Sequence, residues 1–231
     1  MMLQAVGQVE QEPELSIDAP VYTPASAARY LRLPVSSVRW WTLGNGSHLP
    51  VIRIAEPHEH LLSFRNLVEA HVLSAVMCHD RDRVPLAVVR AVLTPLEELF
   101  HSEHPLADPR MYGEGKDFFA ARFGALVNAS RHGQAALASI LSSYVQRVQR
   151  DERGDPSRLL IFTRGRPEGP EHVMIDPSVH DGEPCITDTS VTTAAVAERF
   201  RDGGSIMELA QAYGCGRDEI EEAVRYEANG K

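Results

Sequence analysis

The sequence predicts a mainly α-helical fold with small β elements. We expect an N-terminal winged helix-turn-helix, central helices, and a C-terminal three-helix domain with short β-strands. Apolar residues recur at helical spacing in several segments, as they do where a helix buries one face. Clusters of Gly and Pro separate these segments and mark turns. Short β-prone runs are few, and they lie at 50–54, 60–64, 158–163, 172–176 and 185–187.

The composition is typical of a globular protein. The chain has 231 residues, 43% of them hydrophobic and 24% charged, which suits one large domain or several small ones. No apolar run approaches the ~20 residues that a membrane helix needs, so no membrane partner is expected. No signal peptide is visible, and the odd, widely spaced Cys78, Cys185 and Cys215 argue against a disulfide framework. We therefore expect a cytoplasmic protein.

Charge is distributed unevenly along the chain. The net charge is -9, yet residues 171–231 alone carry 13 acidic and 5 basic side chains. Residues 22–50, in contrast, contain three arginines and no acidic residue. A bare positive patch in an acidic protein is typical of a surface that binds a nucleic-acid backbone. The pattern predicts two ends with different binding roles.

Residues 1–21 are polar, acidic and aperiodic, so we expect a flexible arm; padding of the first domain is the alternative. Residues 22–100 follow as the winged helix-turn-helix domain. Its first helix begins after Thr23, an N-cap, and ends before Pro34, which disfavours helical backbone in the preceding residue. The second helix runs from there to Gly44, a helix-ending glycine. Two helices joined by a short turn are typical of a helix-turn-helix.

The second helix carries the predicted DNA-reading residues. Val38 and Trp41 are three apart and can face the first helix, which leaves the opposite side outward. We predict that this side reads base edges and that three arginines contact phosphates. The predicted reading residues are Ser36, Ser37, Arg39 and Trp40, and the predicted phosphate contacts are Arg29, Arg32 and Arg53. An exposed Arg and Trp could instead contact a protein or pack on the wing, and that alternative stays open.

The β-prone runs 50–54 and 60–64 flank a polar loop and predict a hairpin, the wing that would carry Arg53. A strong amphipathic helix is predicted from Ser63 onward and closes the domain. Another helix is predicted over 84–100, where apolar residues again recur at helical spacing.

Residues 101–163 are predicted as a central, dimerising region. A loop over 101–116 leads to a partly helical segment over 117–128 and a clear helix over 133–150. The apolar stripe of that last helix is ordinary core or a dimer seam, with core favoured. We expect a homodimer, because a dimer that contacts two DNA half-sites binds far more tightly than a single small basic domain. Residues 164–171, rich in Pro and Gly, are the predicted linker.

Residues 172–231 are the predicted C-terminal domain, in which two short strands precede three helices. Ser205 and Glu208 have the spacing of a capping box, in which each side chain bonds the other residue's amide. The three helices are predicted over 193–202, 205–213 and 217–229.

This domain resembles the small family called domain of unknown function 433. The family pattern is an Ile-Asp-Pro, then Gly-x-Pro-x-Ile-x-x-Thr, then three helices. The chain has Ile175-Asp176-Pro177, then Gly182 to Ile186, then Thr189. The combination is specific, although no single piece of it is.

The departures from that pattern concern charge. Glu183 and Ser190 stand where the family often has basic residues, and Asp188 precedes the Thr. We therefore assign no DNA binding to this domain. Its negative charge would suit a basic protein surface, such as a ribonuclease groove that holds RNA.

The preceding part of the chain resembles long VapB-type antitoxins with an N-terminal helix-turn-helix. The similarity lies in YTPASAARYLRLPVSSVRWW, LLSFRNLVEAHVL, LVNASRHGQAALASILSSYVQRVQRD and RLLIFTRG. This resemblance implies a bacterial toxin–antitoxin module. Its antitoxin would bind and inhibit a PIN-type, metal-dependent ribonuclease toxin and would bind operator DNA to repress the module.

No pattern in the chain predicts catalysis or a metal site. The closest histidine pairs, His58 with His60 and His101 with His104, lack a second pair at the spacing of zinc ligands, so we expect solvated side chains. Neither a nucleophile elbow nor a phosphate-binding loop occurs. Three carboxylates of the last helix are expected on a solvated face: Glu219, Glu221 and Glu222.

We thus expect no enzyme and no cofactor. The alternatives to an antitoxin are a stand-alone DNA-binding transcription regulator and an interaction protein that does not bind DNA.

Overall fold

The structure is a computed structural model that describes residues 16–44, 49–77, 84–127, 131–162 and 169–228. The predictions for residues 1–15, for Cys78 and for 164–168 of the linker lie outside these ranges. Among the described residues, no helix is long and apolar enough to cross a membrane.

The predicted fold class, mainly α with small β elements, is confirmed. In chain order, the helices are α1 (Pro24–Leu31), α2 (Val35–Leu43), α3 (Phe64–Met77), α4 (Leu86–Phe100), α5 (Glu114–Leu126), α6 (Arg131–Gln146), α7 (Thr193–Arg201), α8 (Ile206–Tyr213) and α9 (Arg217–Ala228). The strands are β1 (Val148–Arg150), β2 (Pro156–Leu160), β3 (Val173–Ile175) and β4 (Cys185–Ile186). Short 3-10 turns lie at Pro109–Tyr112 and His180–Gly182.

The first two helices follow the sequence closely. The Thr23 hydroxyl accepts a hydrogen bond from the Ser26 amide (3.0 Å) and starts α1. Arg32 ends α1 in the left-handed region, at φ 57°. Val38 and Trp41 of α2 are buried, as predicted, with 0% and 1% of their surface exposed. The pair therefore buries one side of α2 and leaves the other side available.

The predicted hairpin of residues 50–54 and 60–64 does not form. The amides of Val51 and Ile52 both donate to the Trp41 carbonyl, at 2.8 and 3.0 Å. The first run thus satisfies the end of α2 and is not available to pair with the second run. Pairing in this part of the described chain is limited to isolated bridges, Glu56 with Leu61 and Tyr22 with Leu62.

The helix α3 is the centre of the main core. It is buried on nearly all sides because it lies between α1, α6 and β2. The amphipathic pattern predicted one buried face, but Glu69 and His71 are also buried, at 2% and 4% exposure. The core accommodates these polar side chains because each has a hydrogen-bond partner.

Residues 16–21, the described end of the predicted arm, lie against this core. The Arg65 amide donates to the Ile17 carbonyl (3.1 Å), and its guanidinium pairs with Asp18 (2.7 Å) and Asp155 (3.2 Å). One arginine at the start of α3 therefore ties this segment to the turn between β1 and β2.

The helix predicted over 133–150 ends early. Its last residues, Val148–Arg150, form β1 and pair antiparallel with β2. Val148 is buried in this strand and would be buried in a continued helix, so apolar spacing cannot mark the change. Within α6, Leu141 and Val145 are buried at 0% and 2% exposure, which makes these two stripe residues part of the core.

One antiparallel sheet of order β1-β2-β3-β4 joins the central region to the C-terminal domain. The register places Leu159 opposite Ile175 and Met174 opposite Cys185. Side chains from both sides of the predicted linker therefore share one core, which also contains Tyr226 of α9.

The C-terminal helices surround a second, smaller core, formed by Ile186, Val196, Leu209, Ile220 and Ala223. The predicted capping box is present, since the Ser205 amide donates to Glu208 (2.9 Å) and the Glu208 amide donates back to the Ser205 hydroxyl (3.3 Å). The prediction of a solvated face was wrong for Glu222, which is 0% exposed and pairs with Arg225. Pairing with an adjacent arginine makes this burial possible.

Candidate nucleic-acid interface

The outward side of α2 holds the four predicted reading residues. Ser36 and Arg39 are exposed, whereas Ser37 and Trp40 are half-buried. Ser36 and Arg39 project outward because Val38 and Trp41 occupy the side that faces α1. Trp40 was predicted to point outward as well, but it packs partly against the main core. The helix has no acidic residue, so Arg39 faces solvent without a carboxylate on its own element.

A cleft of about 570 Å³ runs along this side of α2. Two indole nitrogens in its lining, those of Trp40 and Trp41, are buried and have no hydrogen-bond partner among the residues that the structure describes. The cleft is lined by the four reading residues together with Trp41, Gly44, Met77, Val84, Pro85 and Leu86. The structure thus brings the predicted reading residues together on one concave surface beside the ends of α3 and α4.

The three predicted phosphate contacts lie in different environments. Arg29 is exposed, and its guanidinium lies 5.1 Å from the centre of the Tyr30 ring. Arg32 instead contacts the C-terminal domain: it donates to the Tyr226 carbonyl (2.9 Å) and lies 5.3 Å from the Tyr226 ring centre. Arg29 is therefore accessible to a phosphate, whereas Arg32 is hydrogen-bonded within the chain.

Arg53 is 58% exposed but is paired with acidic side chains. Its guanidinium hydrogen-bonds to Glu103 and lies 4.0 Å from Glu97 of α4. Exposed ion pairs of this kind contribute little stability and exchange readily. A phosphate at Arg53 would therefore compete with two carboxylates.

A buried polar cluster supports the loop that carries Arg53 and Ala55, and sequence reasoning missed this cluster. The Asn66 side chain donates to the Arg53 carbonyl (2.7 Å) and accepts from the Ala55 amide (3.1 Å). It also donates to Glu69 (3.2 Å), which in turn bonds His104 (2.9 Å). The one available signal was a Glu within the apolar pattern of α3, which requires a partner.

His104 was predicted to be solvated, but it is only 28% exposed and hydrogen-bonds to the buried Glu69. Burial raises the pKa of Glu69, while the hydrogen bond and charge of His104 oppose the rise. Burial also lowers the pKa of His104, but the hydrogen bond and charge of Glu69 outweigh burial and raise it. The two side chains therefore form a partly buried ion pair when His104 is protonated and Glu69 is ionised.

A buried histidine, His71, belongs to an aromatic cluster near the end of β2. His71 donates to the Tyr144 carbonyl (3.1 Å), and its ring lies 5.5 Å from that of Phe162. Arg147 covers Phe162 at 4.6 Å and donates to the Gly169 carbonyl (2.6 Å). The cluster anchors the chain on both sides of residues 163–168. Burial lowers the pKa of His71 to about 4, so His71 is neutral near pH 7.

Comparison with known proteins shows similarity to one domain family and to two proteins of one organism. Residues 173–226 match the family described as "Protein of unknown function (DUF433)". The chain is 28% identical over 240 residues to "Putative antitoxin VapB45" of Mycobacterium tuberculosis, covering 93% of this chain and 97% of that protein. It is 26% identical over 223 residues to "Uncharacterized protein Rv2308" of the same organism, covering 91% of each.

The fold also matches a solved structure. The crystal structure of Rv2018 from Mycobacterium tuberculosis superposes with a TM-score of 0.70 at 24% identity, covering 91% of this chain and all of that chain. At this identity the match shows a shared fold. The chain is thus similar along nearly its whole length to the protein named VapB45, and it carries a DUF433 domain at its C-terminal end.

Proposed function

We propose that this protein is the antitoxin of a toxin–antitoxin module, and that it binds both a toxin and operator DNA. The similarity to VapB45 over 93% of the chain carries the proposal. The separation of charge supports it, because a cationic helix pair and an acidic C-terminal part suit two different partners. The role is one of binding, without catalysis by this chain.

Operator DNA would contact the outward side of α2. Ser36 and Arg39 are exposed there, and Ser37 and Trp40 line the same cleft. Side chains of these types bond base edges in a major groove, while Arg29 would hold a phosphate. Arg32 and Arg53 have secondary roles in this proposal because both have partners within the chain.

The toxin would contact the acidic C-terminal part. Residues 171–231 carry an excess of eight negative charges, and most of their carboxylates are exposed. Such a surface complements the basic groove of a ribonuclease. The VapB-type resemblance implies that this ribonuclease is of the PIN type. A homodimer would place two copies of α2 on two half-sites of the operator.

Operator binding can be tested with a fluorescent fragment from upstream of the gene. Arg39→Ala is expected to weaken binding about tenfold and to reduce the preference for the operator over unrelated DNA, because Arg39 is a proposed base contact. Arg122→Ala, which removes an exposed arginine from α5, is the matched control and is expected to bind like wild type. Equal binding by both variants would remove α2 from the interface.

Toxin binding can be tested by co-expression with the product of the adjacent reading frame, followed by co-purification. A stable complex together with an operator shift supports the antitoxin. A shift without a complex indicates a stand-alone regulator, and a complex without a shift indicates an interaction protein. Charge substitutions are preferable to deleting residues 171–231, because β3 shares its sheet and core with β2.

A further inference from the structure

The C-terminal domain is fixed to the first helix of the proposed DNA-binding end. Arg32 donates to the Tyr226 carbonyl (2.9 Å), and the Tyr226 hydroxyl donates to the Tyr30 carbonyl (2.9 Å). Tyr226 is 4% exposed and belongs to the same core as Tyr30. These reciprocal bonds join the last turns of α1 and α9 and hold the two parts in one orientation.

A second contact between the two parts joins Gly182 of the C-terminal domain to Tyr22, which precedes α1. Gly182 has φ +74°, and a Cβ built there would lie 1.8 Å from the Tyr22 hydroxyl, so the turn touches that ring directly. Tyr22 meets Tyr30 edge to face, with ring centres 6.2 Å apart, and Arg29 covers the Tyr30 ring. The turn that carries Gly182 and Glu183 is thus placed against the aromatic residues that support Arg29.

The turn that carries Glu183 and the Arg29 guanidinium therefore contact the same pair of aromatic residues, Tyr22 and Tyr30. Burial raises the pKa of the Tyr30 hydroxyl, Arg29 opposes that rise, and the carboxylates of Glu183 and Glu227 add to it. Arg29 and both carboxylates therefore act on the same hydroxyl. Glu183 is exposed, whereas Glu227 accepts a hydrogen bond from Thr193 (2.6 Å). Glu183 is the group whose charge is free to reach solvent and a nearby phosphate.

We propose that the C-terminal domain weakens operator binding in cis, because it holds the turn with the exposed Glu183 against the aromatic residues that support Arg29, the proposed phosphate contact. This inference rests on the proposed operator binding. The Tyr226 and Gly182 contacts make the inhibition a fixed property of the fold.

The expected effect follows from Coulomb's law. A unit charge about 7 Å from another in water changes a binding equilibrium about threefold. Salt screens this effect, since the Debye length falls below ~6 Å near 300 mM. Removal of the carboxylate should therefore matter most at low salt, which a purely structural role for Glu183 would not reproduce.

The test measures operator affinity of the full-length chain at about 50 mM and about 300 mM salt. Glu183→Gln is expected to bind about threefold more tightly and Glu183→Lys about ninefold more tightly at low salt, with both gains reduced at high salt. Circular dichroism and thermal unfolding verify that the variants fold.

Asp202→Asn and Asp202→Lys are the matched controls. Thr193 begins α7 beside Glu227, and Asp202 lies at the far end of this nine-residue helix, ~13 Å away at 1.5 Å per residue. These variants change the net charge equally but are expected to alter affinity less than the Glu183 variants.

The outcomes separate the two claims. Wild-type protein that binds no operator at either salt concentration overturns the proposed operator binding. Operator binding in which the Glu183 and Asp202 variants behave alike overturns this inference and leaves the operator binding intact.

Discussion

Single residues decide how the two ends of this molecule are joined and how it responds to pH. Gly182 lies where its backbone is left-handed and where the Tyr22 hydroxyl leaves no room for a side chain. His71 is buried and His104 is partly buried, and their pKa values move in opposite directions. The three residues lead to three separate predictions.

Replacement of Gly182 by alanine should destabilise the protein strongly. The left-handed backbone alone costs about 1–2 kcal/mol for a residue with a Cβ, and the clash with Tyr22 adds to it. Gly214→Ala is the matched control, because Gly214 has φ +67° and no atom within 4 Å of its built Cβ. Urea denaturation should give a clearly larger loss of unfolding free energy for Gly182→Ala. Equal losses would show that the Tyr22 side chain moves aside without a measurable loss of unfolding free energy.

His71 should make the protein sensitive to mild acid. Its folded pKa, about 4, lies below the ordinary value of 6.5, so its stabilising effect is full above pH 6.5 and is lost as the pH falls to 4. The loss is of the order of 3 kcal/mol. His71→Gln, which keeps a donor but does not titrate, should flatten the unfolding free energy across this window. An unchanged pH profile in this variant would assign the acid sensitivity elsewhere.

His104 should act in the opposite direction. Its pKa is raised because Glu69 outweighs burial, so its stabilising effect is full below pH 6.5 and is lost as the pH rises through the folded pKa. Thermal unfolding between pH 6 and pH 9 should show this loss in wild type and not in His104→Asn. A wild-type profile that is flat in this range would contradict the ion pair with Glu69.

At the scale of elements, capping residues and prolines predicted where the helices begin and end. Thr23 and Ser205 start helices through the caps that their hydroxyls predict, and Pro34 separates α1 from α2. The failures have tertiary causes. The run over 50–54 is no strand because its amides bond the Trp41 carbonyl, a contact that no local pattern records.

The same limit applies to the candidate site. Apolar spacing placed the four reading residues on one side of α2, and the structure leaves them there. It could not show that Arg32 bonds Tyr226 of a distant helix or that Arg53 pairs with Glu103. Both partners lie far away in sequence, and charge alone does not identify them.

The capping box of α8 offers a local test. The Ser205 hydroxyl accepts from the Glu208 amide, so Ser205→Ala leaves that amide without its partner. The expected loss is about 1 kcal/mol of unfolding free energy, measured by urea denaturation. Ser205→Asn, which retains a capping oxygen, should recover most of that loss. Equal destabilisation by both variants would mean that the cap has no energetic role.

At the scale of the whole molecule, a continuous sheet and core connect ends of different charge. The strands β2 and β3 pair across the predicted linker, and Tyr226 joins the main core from the last helix. A partner bound to the C-terminal domain therefore binds the same sheet and core that support the N-terminal helices. In the proposed inhibition, this shared sheet and core fix the position of the acidic domain relative to the cationic helix pair.

The central claim is that one chain binds a toxin and an operator through separate surfaces. Growth rescue tests it most directly, in cells that express the adjacent reading frame as a toxin and a reporter fused to the upstream fragment. Arg39→Ala is expected to restore growth as wild type does while failing to repress the reporter. Growth that no form of the chain restores, or an Arg39→Ala variant that still represses fully, would contradict the account.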